Sequence, residues 1–227
     1  AVMRERLDRV IKMRSTEAQG FFNRVGRRWD ELRTAAFGST FSHEAFLSLL
    51  PGDWTVADIG TGTGHLLPTL SAQFKSVIAV EPAEVMLECA RQRAAQNELA
   101  NVELCAGDLT RLPIEDARVD LAIAMLVLHH VPNPDDALRE MFRIVRPAGR
   151  VLIVEQEAHE NQDFYERMQD HWWGFDADDL GRRLEAAGFT DVVGRRLPTA
   201  AVEQAAADSP PLFVLTARRP TNESMPA

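Results

Sequence analysis

The chain has 227 residues, of which 45% are hydrophobic and 26% charged, and its net charge is −9 at pH 7. No apolar run approaches the roughly 20 residues that a membrane-spanning helix needs. Residues 1–33 carry nine basic and five acidic side chains, or +4, so the remainder carries −13 and lacks the basic surface that nucleic-acid binding requires. The N-terminus has no apolar signal segment and no Cys-x-x-Cys motif occurs, so we expect a cytoplasmic protein with reduced cysteines.

Apolar residues recur at helical spacing in the first fifty residues. We expect a helix over 2–14, a second helix that starts near Ser15, and a third over 42–50 that ends at Pro51-Gly52. We interpret residues 1–52 as a helical extension that covers the functional site as a lid. The apolar stripe of the second helix comprises Ala18, Phe21, Phe22, Val25, Trp29 and Leu32.

From residue 54 onward, short apolar strands alternate with helical patterns, which predicts an α/β fold with a mostly parallel, doubly wound sheet. Residues 53–219 would form this domain, and 220–227 a disordered tail. The predicted strands are 54–58, 76–80, 101–105, 119–124, 150–155, 191–197 and 212–217, and the predicted helices include 83–96, 135–146, 160–173 and 176–187.

The segment 54–64 combines a strand, a glycine-rich turn and the start of a helix: Trp-Thr-Val-Ala-Asp-Ile-Gly-Thr-Gly-Thr-Gly. Glycines at alternate positions permit positive φ angles and let a ligand approach the backbone. The dinucleotide fingerprint G-x-G-x-x-G is not met, because its third glycine would be His65 or Leu67. The pattern is instead acid-x-G-x-G-x-G, whose Asp58 suits a cationic ligand better than a pyrophosphate.

Acidic residues also follow the next two predicted strands. Glu81 comes twenty-one residues after Gly60, where a carboxylate can accept hydrogen bonds from both ribose hydroxyls. Asp108 can accept a hydrogen bond from an adenine amino group. Because ligands bind beyond the carboxyl ends of parallel strands, we expect these acids to share one site.

These motifs resemble those of the class I S-adenosylmethionine (SAM)-dependent methyltransferases over residues 53–155, and most of all the ubiquinone and menaquinone C-methyltransferases. Arg146-Pro147-Ala148-Gly149 is similar to a turn of the family, with Ala148 in place of a glycine. The resemblance implies a Rossmann-like seven-stranded sheet with an antiparallel last strand, and metal-free methyl transfer that releases S-adenosylhomocysteine (SAH). The cofactor-binding residues that it implies are Asp58, Gly60, Thr61, Gly62, Gly64, Glu81, Pro82, Met86, Gly107, Asp108, Leu109 and Met125.

Two flanking stretches, 21–33 and 171–175, are similar to the methyltransferase half of certain ArsR-type regulators, in which a DNA-binding half precedes it. The chain is therefore either an enzyme or a domain that senses SAM or SAH for a regulator, and either a piece of such a fusion or a separate relative. Arsenite methylation is disfavoured, because it requires a cluster of thiolates and the sequence offers Cys89 and Cys105 alone. The expected partners are a small-molecule substrate and a second copy bound through the N-terminal helices, with no nucleic acid or membrane.

A base that activates the substrate would come from the loop after the fourth strand. His129 and His130 are the catalytic candidates, because histidine titrates near neutral pH; alternatively, they only shape the loop. Trp172, Trp173 and Phe175 would line an aromatic pocket or pack in the core. Further candidates for the base are Glu155, His159, Tyr165 and His171.

Overall fold

The computed structural model describes residues 4, 6, 12–14, 17, 20–21, 23–38, 41–198 and 209–221, with residues 27, 29 and 41 described by their backbone alone. The chain divides into two units, Ala1–Leu50 and Pro51–Ala227. The first unit contains a 3₁₀ helix at Gly26–Arg28, helix α1 at Trp29–Phe37 and helix α2 at Phe41–Leu47. Most of the helix predicted over 2–14 lies outside the described residues. Residues 18 and 22 of the apolar stripe lie wholly outside them.

The second unit is built on a seven-stranded sheet with the order β3-β2-β1-β4-β5-β7-β6. Neighbouring strands among the first five are parallel, whereas β7 is antiparallel to both β5 and β6. The predicted α/β fold with an antiparallel last strand is therefore confirmed. The strands are β1 (Thr55–Ile59), β2 (Ser76–Glu81), β3 (Val102–Ala106), β4 (Val119–Met125), β5 (Val145–Gln156), β6 (Thr190–Arg196) and β7 (Leu212–Arg218).

Helices connect and cover these strands, and one apolar core joins the sheet to the helices beside it. Leu138 and Met141 of helix α5 (Pro134–Ile144) and Leu180 and Leu184 of helix α7 (Ala177–Ala186) have no exposed surface. No helix among the described residues is long and apolar enough to cross a membrane. The helices of this unit are α3 (Leu67–Gln73), α4 (Glu84–Gln96), α5 (Pro134–Ile144), α6 (Gln162–Met168) and α7 (Ala177–Ala186), with a 3₁₀ helix at Leu128–His130.

Two predicted elements were wrong in extent. The helix predicted over 135–146 ends at Ile144, because Val145 pairs with Val119 and begins β5. β5 thus runs through the stretch 146–149, which was predicted as a turn before a strand at 150. The helix predicted over 160–173 ends at Met168, because Gln169 adopts a left-handed conformation with φ of 58°. Strand pairing and a helix cap decide these boundaries, and neither is visible in local periodicity.

Candidate functional site

The glycine turn after β1 has the geometry that its sequence predicts. Gly60, Gly62 and Gly64 all have positive φ angles, of 71°, 57° and 74°. A Cβ atom on Gly60 would lie 2.2 Å from the Val127 side chain, and one on Gly64 would lie 2.7 Å from Leu67. A Cβ atom on Gly62 would meet nothing within 4 Å. Packing therefore requires glycine at the first and third positions, whereas the backbone of Gly62 is open to a ligand.

Asp58 and Glu81 end adjacent strands and both carboxylates are buried. The Asp58 carboxylate accepts a hydrogen bond from the Thr61 hydroxyl at 2.6 Å. Burial raises the pKa of Asp58 to about 6; the Thr61 hydrogen bond opposes this shift and the nearby Glu81 charge adds to it. Glu81 accepts hydrogen bonds from the backbone N–H groups of Gly62 and Ala83, both at 2.9 Å. Two acids in a desolvated corner favour a ligand that carries positive charge.

The remaining predicted cofactor residues lie at the ends of neighbouring strands. After β3, Asp108 accepts hydrogen bonds from the Thr110 N–H and hydroxyl at 2.7 and 2.8 Å, which lower its pKa and keep it ionised. Gly107 is required there, because a Cβ atom would lie 2.5 Å from the Pro113 ring. Met125 is the last residue of β4. Of the others, Leu109 is buried, while Pro82 and Met86 are exposed beyond β2.

Glu155, near the end of β5, organises the loop after β4. It is fully buried, and its Oε1 atom accepts hydrogen bonds from the N–H groups of Val127 and Leu128 at 3.0 and 2.7 Å. Its Oε2 atom lies 2.7 Å from Nδ1 of His129. Since a carboxylate can only accept, this contact assigns the Nδ1 proton to His129 and leaves Nε2 to face the other side of the ring. Glu155 therefore positions His129, and the prediction of Glu155 as a free base is not supported.

Asp170 was not singled out in the sequence, but it completes the group around the two histidines. Its side chain is fully buried, and Oδ1 lies 3.8 Å from Nε2 of His129 and 3.6 Å from Nδ1 of His130. Oδ2 accepts a hydrogen bond from the Gln156 amide at 2.9 Å, whereas Oδ1 has no hydrogen-bond partner. No local signal could have found Asp170, because sequence periodicity placed it inside a helix that ends before it.

His130 is the more accessible of the two histidines, with 42% of its side chain exposed against 5% for His129. Desolvation lowers the pKa of His130, and the neighbouring His129 lowers it further, against the opposite effect of Asp170 and Glu155. His130 is therefore neutral at pH 7 and able to accept a proton.

A cavity of about 380 Å³ adjoins this group, beyond the ends of β4 and β5. Its wall is mainly apolar, and His129, His130 and Asp170 line it together with the Arg167 side chain. The apolar lining includes Leu126, Phe164, Met168 and Leu212.

The predicted aromatic residues do not form this wall. Phe175 is 5% exposed and lies in the core, and the Trp172 indole donates to the Val131 carbonyl at 2.9 Å while its ring packs against the core. Trp173 stacks on Tyr165 with ring centroids 4.3 Å apart.

The sheet order and the acid-bearing glycine turn after β1 define a class I SAM-dependent methyltransferase. The donor set fits that cofactor, because Gly62 leaves its backbone open and Asp58 and Glu81 supply carboxylates for a cationic ligand with a ribose. Residues 57–153 match the family described as "Methyltransferase domain". Residues 57–153 therefore form a class I methyltransferase domain, whose cofactor is SAM.

Two relatives and one solved structure illustrate the match. The chain is 31% identical to the arsenite methyltransferase of Halobacterium salinarum over 78% of its own length, but spans only 48% of that relative. It is 29% identical to a demethylmenaquinone methyltransferase of Mycobacterium sp., over 86% of this chain and 95% of the relative. Phosphoethanolamine N-methyltransferase 2 of Haemonchus contortus, solved with SAM, superposes with a TM-score of 0.67 at 16% identity, over 81% of this chain and 53% of that one. The last match shows the fold alone.

Proposed function

We propose that this domain transfers the methyl group of SAM to a small, largely apolar acceptor, which binds in the cavity beyond β4 and β5. The observation that carries the proposal is the position of this cavity. It opens at the end of β4, the strand next to β1 and its glycine turn, and it contains titratable groups on an otherwise apolar wall. A SAM molecule bound at the turn would therefore have an acceptor pocket beside it.

The contacts at the strand ends support the cofactor roles that the family resemblance implies. Asp58 and the backbone of Gly60–Gly64 hold the methionine part of SAM, and Glu81 binds the ribose hydroxyls with the lone pairs that its two amide contacts leave available. Asp108 and Leu109 bind the edge of the adenine, and Met86 packs against its face. The backbone at Met125 faces the SAM amino group. Thr61 and Pro82, which follow β1 and β2, complete the cofactor site.

The acceptor atom attacks the methyl carbon in line with the sulfonium, the carbon–sulfur bond breaks, and its electron pair stays on sulfur as SAH leaves. Proximity and orientation supply most of the rate, because SAM is already an activated electrophile. The proton that the acceptor loses goes to the histidine pair. His130 lines the cavity as a neutral imidazole, and His129 is held in place by Glu155.

The proposal excludes two other acceptors. One relative is named an arsenite methyltransferase, but in this chain Cys89 lies on α4 and Cys105 on β3, so the two cysteines do not share an element. Burial, together with the nearby Glu103, raises the pKa of Cys105 and keeps it a thiol, whereas arsenite binding requires thiolates. Nucleic acid is disfavoured by the acidic charge of residues 34–227.

The test is SAH release from purified protein offered a mixed small-molecule extract and, separately, arsenite. The double variant His129→Asn/His130→Asn should lower turnover by about 10²–10⁴-fold, the range for loss of a general base. Calorimetry should show nearly unchanged SAM affinity, because neither side chain contacts the glycine turn. Glu115→Gln, which alters an exposed side chain between β3 and β4, is the control and should leave turnover unchanged.

Each alternative has its own outcome. Unchanged turnover in the double variant would refute the histidine base and favour the remaining candidates, Tyr165, His171 and His159. SAM binding without SAH release from any extract would favour the second candidate, a domain that senses SAM or SAH for an attached regulator.

A further inference from the structure

His129, His130 and Asp170 form a group with the chemistry of a metal site. Each of the three residues offers one ligand atom, and these atoms lie within 4.8 Å of one another. Oδ1 of Asp170 lies 3.8 Å from Nε2 of His129 and 3.6 Å from Nδ1 of His130. Oδ1 of Asp170 is buried and has no hydrogen-bond partner. A buried carboxylate oxygen normally has a partner, so an unpaired one that faces two imidazole nitrogens requires an explanation.

Two of the three side chains, His129 and Asp170, are held in place by a second hydrogen bond. His129 contacts Glu155 through Nδ1 at 2.7 Å, and Oδ2 of Asp170 accepts from the Gln156 amide at 2.9 Å. The His130 ring is partly exposed, with 42% of its side chain accessible. Metal-binding histidines almost always make such an outer contact, which fixes the ring and directs the other nitrogen at the ion, and ligating carboxylates are likewise hydrogen-bonded.

The distances are close to those of a bound ion. Ligands about 2.1 Å from a tetrahedral ion lie about 3.4 Å from one another. The two Asp170-to-histidine distances of 3.8 and 3.6 Å would need to close by a few tenths of an ångström. The remaining adjustment falls on His130, whose partly exposed ring can tilt toward His129.

We propose that His129 Nε2, His130 Nδ1 and Asp170 Oδ1 bind one divalent transition-metal ion, with Zn²⁺, Co²⁺, Mn²⁺ and Fe²⁺ as the candidates. Two imidazole nitrogens and one carboxylate suit these ions, whereas Mg²⁺ and Ca²⁺ prefer oxygen ligands. Three protein ligands leave at least one coordination position open, and this position faces the cavity that all three residues line. The site therefore takes a small ligand with an oxygen or nitrogen donor.

Sequence spacing predicts no metal site, because Asp170 is distant in sequence from the adjacent histidines and no ligand motif joins them. The proposal does not rest on methyl transfer, and ion binding can be measured without SAM. If methyl transfer also occurs, the acceptor's donor atom is the natural ligand for the open position. The ion would then replace the free histidine base as the group that promotes loss of the acceptor's proton.

The experiment is a titration of Co²⁺ into untagged protein that has been stripped with a chelator and desalted. Visible absorption from bound Co²⁺ reports the ligand set, and Zn²⁺, which is silent, should displace it. We expect one Co²⁺ per chain in the wild type. His130→Gln and Asp170→Asn should each weaken binding by at least about tenfold, because loss of even an outer-shell partner costs about 10–100-fold. Asp163→Asn, on the exposed face of α6, is the matched control and should bind as the wild type does.

Two results overturn the proposal: no absorption from bound Co²⁺ in the wild type, or the same affinity and spectrum in His130→Gln. His130 is partly exposed, so this variant decides the question even if Asp170→Asn does not fold. Failure of the ion site is distinguishable from failure of the proposed function. A protein that binds no ion but releases SAH in a histidine-dependent manner refutes only the ion site, and one that binds Co²⁺ but releases no SAH refutes only the methyl transfer.

Discussion

Replacement of Asp58 by asparagine should stabilise the free protein and weaken SAM binding at the same time. The residue is 3% exposed, and burial raises its pKa to about 6 from the ordinary 3.8. In the free protein the ionised group is therefore destabilising at neutral pH. A bound SAM molecule, with its sulfonium and ammonium, would compensate that charge. The asparagine side chain would keep the shape of the aspartate and can still accept the hydrogen bond from the Thr61 hydroxyl.

The size and sign of the effect follow from proton linkage. The raised pKa means that the folded chain holds the Asp58 proton more tightly than the unfolded chain does. This contribution to stability is complete below about pH 4 and is lost as the pH rises to about 6. The full loss corresponds to about 3 kcal/mol, of which about 1 kcal/mol falls between pH 5 and pH 7. The variant lacks this term, so its advantage over the wild type should grow by that amount across the interval.

Affinity for SAM should change in the opposite direction. The ionised fraction of Asp58 rises about tenfold between pH 5 and pH 7 if its pKa is about 6, whereas the SAM ammonium stays protonated over that interval. Wild-type affinity should therefore rise by up to about tenfold, while that of Asp58→Asn should stay low and flat. The assays are urea unfolding followed by circular dichroism, and calorimetry with SAM, each at both pH values.

Asp53→Asn, which removes an exposed carboxylate just before β1, is the control and should show neither effect. A stability difference between Asp58→Asn and the wild type that is independent of pH would show that the ionisation of Asp58 is not its cause. Equal SAM affinity in the two proteins at pH 7 would refute the assignment of this carboxylate to the cationic part of the cofactor.

Three further predictions concern the same site. Glu81→Ala should weaken SAM and SAH binding at least tenfold by calorimetry, because charge-assisted hydrogen bonds contribute about 1.5–3 kcal/mol each, whereas exposed Glu115→Ala should have no effect. Gly60→Ala should lower the melting temperature strongly, because the added Cβ atom has no room. Gly62→Ala should cost only about 1–2 kcal/mol of stability, because of its left-handed conformation, but it should reduce SAM binding. Equal melting temperatures of the two variants would contradict this contrast. Deletion of residues 1–33 should leave the circular dichroism of the sheet intact and remove most of the SAM affinity, and unchanged affinity would show that the N-terminal helices are not a lid.

Local sequence determined where the proposed cofactor residues lie. The alternation of strands and helices predicts a parallel sheet, and the carboxyl ends of neighbouring parallel strands must meet at one edge. The sequence alone therefore places Asp58, Glu81 and Asp108 together at that edge. The three glycines could be assigned positive φ angles for the same kind of local reason, because glycine adopts the left-handed backbone of a sharp strand-to-helix turn without the cost that other residues incur.

The other half of the site depends on contacts between residues distant in the chain, which periodicity does not encode. The sequence shows Glu155 only as an acidic residue at the end of a strand. The tertiary structure shows that it is buried against His129 and two backbone N–H groups. Asp170 reads as part of a helix, yet the left-handed Gln169 ends that helix and directs the carboxylate at both histidines. Val145 has helical spacing but begins β5, because pairing with Val119 outweighs its local preference. A sequence pattern predicts which elements form and which of their ends meet. The positions of these three residues depend on the replacement of water by specific buried partners, and those partners come together only when the chain has packed.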